Sequence, residues 1–479
     1  MISSSDTEAK AAALFALLPF AALTLVVTLA TVGKTTRLLM GLTYYLLPET
    51  ESEKARARLA GVQATNAAAR RKEKRRKANA LESIAKTDDE DSIASLKLTK
   101  ANLVLRPFWS HFDHLVFFTI VVTINWIAAE ARAAMLSKPV ASTSKPVVFE
   151  NPLLAMLCVV GIGSASRALV LMELDKGTPS VEKAIAAVVA VVGFIASFLI
   201  LILVPERVLD FEIDRTSVEF APAVLGFIKR KAGKAFDRVP GLVDDAAADY
   251  ATKGGSFVVS KMQIALGLSV FAGVLAGALF PPAVRASRAY LSVTMPPKWS
   301  TEITRAGIVH RIVLHVAFVL PLLTSAAFFS PVTKQVSFLR PVVLLTAAGF
   351  LLLSVPILVQ GHLNSALITW YELKFGEVAK GDGGKTRSAA RLKSDITNHV
   401  VVKVAVQAAA PAALIACFAC LLGSKRSDGF DEDSLTGLIP AVCWRTIAGY
   451  LGWFCCGVWG LFTTLGVVLG RNGVFAFSP

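Results

Sequence analysis

The sequence predicts an all-α fold, a polytopic helical membrane bundle of about nine transmembrane helices with the N-terminus outside and the C-terminus cytosolic. Three observations lead there. Hydrophobic residues make up 54% of the 479 and charged residues only 18%, with a mean hydropathy of +0.58, a balance found in multispan membrane proteins rather than soluble domains. Apolar blocks recur along the chain at the length a helix needs to cross the hydrocarbon core, about 20 residues. None of them alternates with period two, so the other structure that satisfies its backbone in lipid, the closed β-barrel, is excluded.

The blocks occupy residues 11–33, 115–135, 152–174, 184–204, 264–284, 308–329, 341–358, 400–422 and 438–470. The first follows a nearly neutral tail (Asp6, Glu8, Lys10) and is followed at once by Lys34 and Arg37. A cleaved signal carries its positive charge in front, so this order predicts an uncleaved anchor with a cytosolic loop behind it. The loops that would then be cytosolic hold sixteen, two, four and six Lys/Arg residues, against two in each of the three short outside loops. The chain divides accordingly into an N-terminal tail and anchor helix (1–33), a basic cytosolic linker expected to be largely helical or disordered (34–110), helices two to four (111–204), an extracytosolic loop (205–261), and helices five to nine with their cytosolic loops (262–479). Within the long outer loop, residues 221–236 set Val224, Leu225 and Ile228 opposite Lys229, Lys231 and Lys234 at helical spacing, the pattern of an amphipathic helix on a membrane surface.

The net charge of +15 resides in loops, where orientation already accounts for it, so no nucleic-acid partner is expected. One run is dense enough to attract anionic headgroups of membrane lipids: Arg70, Arg71, Lys72, Lys74, Arg75, Arg76 and Lys77. The six cysteines lie in or beside apolar blocks. Even the CxxC of Cys417 and Cys420 lacks a nearby histidine or second pair, so packing is its reading and neither metal nor cofactor is expected.

Ionisable groups inside spans cost roughly 2.5–3.5 kcal/mol on insertion scales and single themselves out. Arg445 sits near the start of the last block and is expected at the outer interface, where it forms a plausible ion pair with Glu130. Arg167 must enter its span, because residues 152–166 are too few to cross. Placed by topology, Arg167, His315, His362, Lys403 and Gln407 form one belt in the cytosolic half, net positive, with Glu173 the nearest carboxylate. Two readings compete: a cytosol-facing polar cavity or lipid-phosphate site lined by these five, and interfacial snorkelling with helix-to-helix hydrogen bonds. Arg167 and His315 on lipid-facing sides would end the cavity reading. Pro321, Pro356 and Pro411 invite kinks, and Gly267, Gly273 and Gly277, with Gly449, Gly452, Gly457 and Gly460, invite close packing.

Four segments occur in an order that resembles the eukaryotic transmembrane protein 161 family: LHVAFVLPLL (314–323), QGHLNSAL (360–367), AVQAAAP (405–411) and WRTIAGYLGW (444–453). ERVLDFEID (206–214), FPPAVR (280–285) and YLLPETESEKARARLAG (45–61) support it. The resemblance implies a multipass membrane protein linked in animal relatives to control of ion currents and to protection from oxidative stress, with no enzymatic activity attached. Segments 73–100 and 381–393 have no counterpart in that pattern. The expected function is therefore that of a regulatory or accessory factor whose partners are membrane lipids and a channel or pump. A transporter or channel using the cytosol-facing cavity is the alternative, and an intramembrane enzyme the less favoured one, since His315 and His362 lack an acidic partner at their depth.

Overall fold

The computed structural model describes residues 20–31, 34–46, 94–136, 152–175, 179–209, 211–218, 260–296, 300, 306–329, 339–375, 392, 394–424 and 441–472. The basic run 70–77 and the amphipathic segment 221–236 lie outside the described residues.

The helices are α1 (Phe20–Thr31), a short α2 (Lys100–Val104), α3 (Trp109–Leu136), α4 (Pro152–Leu174), α5 (Ser180–Leu203), α6 (Lys261–Thr294), α7 (Ile308–Ala326), α8 (Arg340–Phe375), α9 (Val401–Gly423) and α10 (Ala441–Arg471). Eight of them, α3 to α10, are long and apolar enough to cross a membrane, and α1 is a shorter apolar helix over its described residues. The protein is an all-α polytopic bundle. A capping box starts α6: Ser260 Oγ accepts from the Gln263 N–H at 3.3 Å while Gln263 Oε1 accepts from the Ser260 N–H at 3.0 Å.

Around α9 the others assemble. It packs on α3, α4, α8 and α10, and 94% of its apolar window is buried. Its alanines explain this: a helix apolar on every side has no face to give to water, and side chains as small as Ala408, Ala409, Ala412 and Ala416 let four neighbours approach its backbone. Pro411 is buried within α9 and Pro321 within α7, and each helix continues through its proline.

Two helices outrun their apolar blocks. Hydropathy ends the fifth block at residue 284 and the seventh at 358, yet α6 continues to Thr294 and α8 to Phe375. Backbone hydrogen bonding is indifferent to charge, and Ala286, Ala289, Leu291 and Val293 keep a buried face for α6 after Arg285. Arg285 and His362, assigned by hydropathy to loops or span ends, thus belong to the helical bundle.

The linker expected over 34–110 to be helical or disordered departs from that expectation at both ends. β1 (Thr43–Leu46) and β2 (Ala94–Lys97) pair antiparallel, Thr43 opposite Lys97. β1 is held to the extension of α8. Gln360 Oε1 accepts from the Thr43 N–H at 2.9 Å and Gln360 Nε2 donates to the Thr43 carbonyl at 3.0 Å, so one amide side chain occupies both backbone positions that another strand would have filled. Asn398 Nδ2 and Ser394 Oγ donate to the Tyr45 carbonyl at 3.2 and 3.3 Å. Gln360→Leu strips Thr43 of both bonds at a cost of about 1–3 kcal/mol. Its expected signature is faster amide hydrogen exchange across 42–46 with α9 unchanged; unchanged exchange in the strand would refute the anchoring role.

The opposite end of the bundle is closed by the segment after α5. Phe211 is buried against Phe328, Tyr450 and Trp453, with ring centroids 6.1, 5.2 and 5.4 Å away. Thr446 Oγ1 donates to the Phe211 carbonyl at 2.8 Å and lies 2.7 Å from Thr216 Oγ1. ERVLDFEID is therefore the plug at this end, and WRTIAGYLGW is the wall it sits on.

Candidate functional site

The site grows from how α5 and α6 pack. Ser269, Gly273, Gly277, Pro281 and Arg285 follow one another every fourth residue along α6, and α5 answers with Ser197, Gly193, Ala190, Ala186 and Glu182 running the other way. Ser197 Oγ donates to Ser269 Oγ at 3.2 Å. A Cβ on Gly273 would fall 2.8 Å from the Ala190 carbonyl, and one on Gly277 2.7 Å from the Ala186 carbonyl. Backbones this close leave one register available. Two turns beyond Gly277, that register places Glu182 against Arg285.

Arg285 joins two carboxylates. Its Nη2 contacts Glu182 Oε1, and its Nη1 reaches Glu173 Oε1, at the end of α4, across 3.5 Å. Gln407 of α9 donates from Nε2 to the same Glu173 oxygen at 3.0 Å. One turn away, Lys403 Nζ pairs with Asp175 Oδ2 at 3.2 Å, beneath the ring of Phe108. Glu173 and Gln407 are only 7% and 2% exposed. Four helices, α4, α5, α6 and α9, thus meet in a chain of charges near the strand-pair end. Just beyond it, Leu42, Tyr45, His310, Pro356, Gln360 and Asn364 line a cavity of about 360 Å³. Burial raises the Tyr45 phenol above its usual range there.

Set against the belt expected from sequence, this geometry divides it. Lys403 and Gln407 enter the charge cluster. His362 stands beside it, within electrostatic reach of Arg285 and with its ring hydrogen-bonded to the backbone of Thr397. Arg167 and His315 are exposed on the outer surfaces of α4 and α7, and His315 Nδ1 shares a hydrogen bond with Tyr290 at 2.8 Å. The five therefore do not line one cavity: residues at equal depth on different helices still point at different angles, and only rotation about each helix axis decides which meet. The belt was expected to be net positive with Glu173 the nearest carboxylate; Asp175 and Glu182 take part beside Glu173. At the other end no ion pair joins Glu130 to Arg445 among the described residues; Arg445 is exposed, while the next residue, Thr446, carries the inward contact. Arg285 and Glu182 escaped sequence reasoning because each sits at the edge of an apolar block. The every-fourth-residue row of small side chains leading to Arg285 was the signal for them.

A family model described as predicted transmembrane protein 161AB matches residues 14–374. The chain belongs to this family. The match to transmembrane protein 161AB takes in Glu173, Glu182, Arg285 and His362, together with LHVAFVLPLL and QGHLNSAL. Lys403 and Gln407, and the segments AVQAAAP and WRTIAGYLGW, lie beyond its end. No curated protein and no solved structure matches the chain. Membership and the eight apolar helices make it an integral multipass membrane protein. The six cysteines are buried and none is in a disulfide, Cys417 of α9 standing against Gly161 of α4.

Proposed function

We propose that this protein is a regulatory or accessory factor of the membrane, acting on a partner channel or pump rather than passing a solute itself. One observation carries the proposal. After Gln407, the central helix presents only buried apolar side chains from 408 to 421, about 21 Å of rise, and the polar contacts between helices gather towards the two ends of the bundle. A solute path along the bundle axis would have to cross that length without a hydrogen-bonding side chain from α9, in a medium where unmatched polar groups are costly. The association of the resembled family with ion currents and oxidative stress makes a channel or pump the partner to seek. In this proposal all nine apolar blocks span and the strand-pair end faces the cytosol, following the loop charges. That orientation brings residues 70–77 to the anionic leaflet.

Purified full-length protein in liposomes tests the proposal. The expected result is ion and solute flux no greater than in empty vesicles, and co-purification of a channel or pump from native membranes. Flux that disappears on Gln407→Leu would overturn the proposal in favour of a transporter entered from the strand-pair end.

A further inference from the structure

We infer that Glu173 is a proton-binding site: in the folded protein at neutral pH it is the neutral acid, paired face to face with the Gln407 amide. Two polar atoms carry the inference. Glu173 Oε2 and Gln407 Oε1 are both buried without a hydrogen-bond partner, on side chains more than nine-tenths buried and already joined through Gln407 Nε2 and Glu173 Oε1. Both bare atoms are oxygens, and two acceptors cannot satisfy each other. A proton on Glu173 Oε2 supplies the missing donor. An acid and a primary amide then exchange two hydrogen bonds in a closed ring, N–H to one carboxyl oxygen and O–H to the amide oxygen.

Charge balance points the same way. The groups facing Glu173 are Arg285 from α6, Glu182 from α5, and Lys403 and Gln407 from α9. His362 of α8 is within electrostatic reach of Arg285, Asp175 pairs with Lys403, and Lys183 donates to the Leu174 carbonyl. Arg285 takes Glu182 as its close partner and reaches Glu173 only at 3.5 Å. With Glu173 neutral, Arg285–Glu182 and Lys403–Asp175 are two matched pairs. With Glu173 ionised, a third carboxylate in the least exposed position shares a cation already engaged, an arrangement that burial penalises. The inference stands on this geometry and is independent of whether the protein regulates a partner or moves a solute.

Infrared spectroscopy of the detergent-purified full chain at neutral pH tests it. The wild-type-minus-E173Q difference spectrum is expected to contain a carboxylic-acid carbonyl band that shifts in deuterated water. A difference spectrum with carboxylate bands alone would overturn the inference. Gln407→Leu provides the second arm. Loss of the amide partner is expected to move the acid band to higher frequency while keeping it, and a band that does not move would refute the pairing. Should E173Q fail to fold, the wild-type spectrum with and without Gln407→Leu still decides: absence of any acid band at neutral pH refutes the site.

Discussion

Replacing Arg285 with leucine is expected to destabilise the folded protein by about 3 kcal/mol, because removing one partner of a buried pair strands the other's charge. The penalty sits at the lower end of that class, since Arg285 and Glu182 keep 26% and 29% of their side chains accessible. Arg285→Lys retains the charge and loses the fork that reaches α4 and α5 together, so a smaller loss is expected. Glu182→Gln added to Arg285→Leu should recover part of the stability, since the carboxylate left without its cation is then gone. The midpoint of thermal unfolding in detergent measures all three. An unchanged midpoint in Arg285→Leu would show that the charge chain contributes nothing to holding α4, α5 and α6 together.

The second large effect is expected at Gly277. A leucine there would drive its Cβ to 2.7 Å from both the Ala186 carbonyl and the Ala190 Cβ, and backbone cannot give way as a flexible side chain can. The helices must separate, at a cost of about 3 kcal/mol, the upper part of the usual range for overpacking. Separation also pulls apart the Ser197–Ser269 contact on one side of the crossing and the Glu182–Arg285 contact on the other. Gly267 is the built-in control. It lies on the same helix, and nothing stands within 4 Å of a Cβ placed there, so Gly267→Leu is expected to change stability by less than about 0.5 kcal/mol. Equal losses at the two glycines would mean that the close α5–α6 contact at Gly277 does not set stability.

These two experiments probe one design at two levels. The small-residue row brings α5 and α6 within reach, and the charge at its end joins them to α4 and, through Glu173 and Gln407, to the central helix. Sequence reasoning named Gly273 and Gly277 as packing positions and the structure places both at a close crossing; Gly267, named with them, faces open space. The same split runs through the ionisable residues. Lys403 and Gln407 point into the cluster, whereas Arg167 and His315, chosen on equal grounds of depth, point out.

What the sequence determined by itself is what one-dimensional physics controls. Apolar length sets which segments span, the absence of period-two alternation sets that they are helices, and the order of LHVAFVLPLL, QGHLNSAL and their companions shows the kinship now supported by a family match over 14–374. Relative position along each helix axis was legible too, because it follows from counting residues at 1.5 Å each. Only the tertiary structure decided azimuth and helix ends. Which way Arg167 or Gln407 faces depends on how each helix is rotated against neighbours far away in sequence. Where α6 and α8 stop depends on buried faces that continue past a charged residue, which hydropathy reads as a boundary. Glu173, Glu182 and Arg285 stand where those two kinds of information meet, at span ends by composition and inside the bundle by packing.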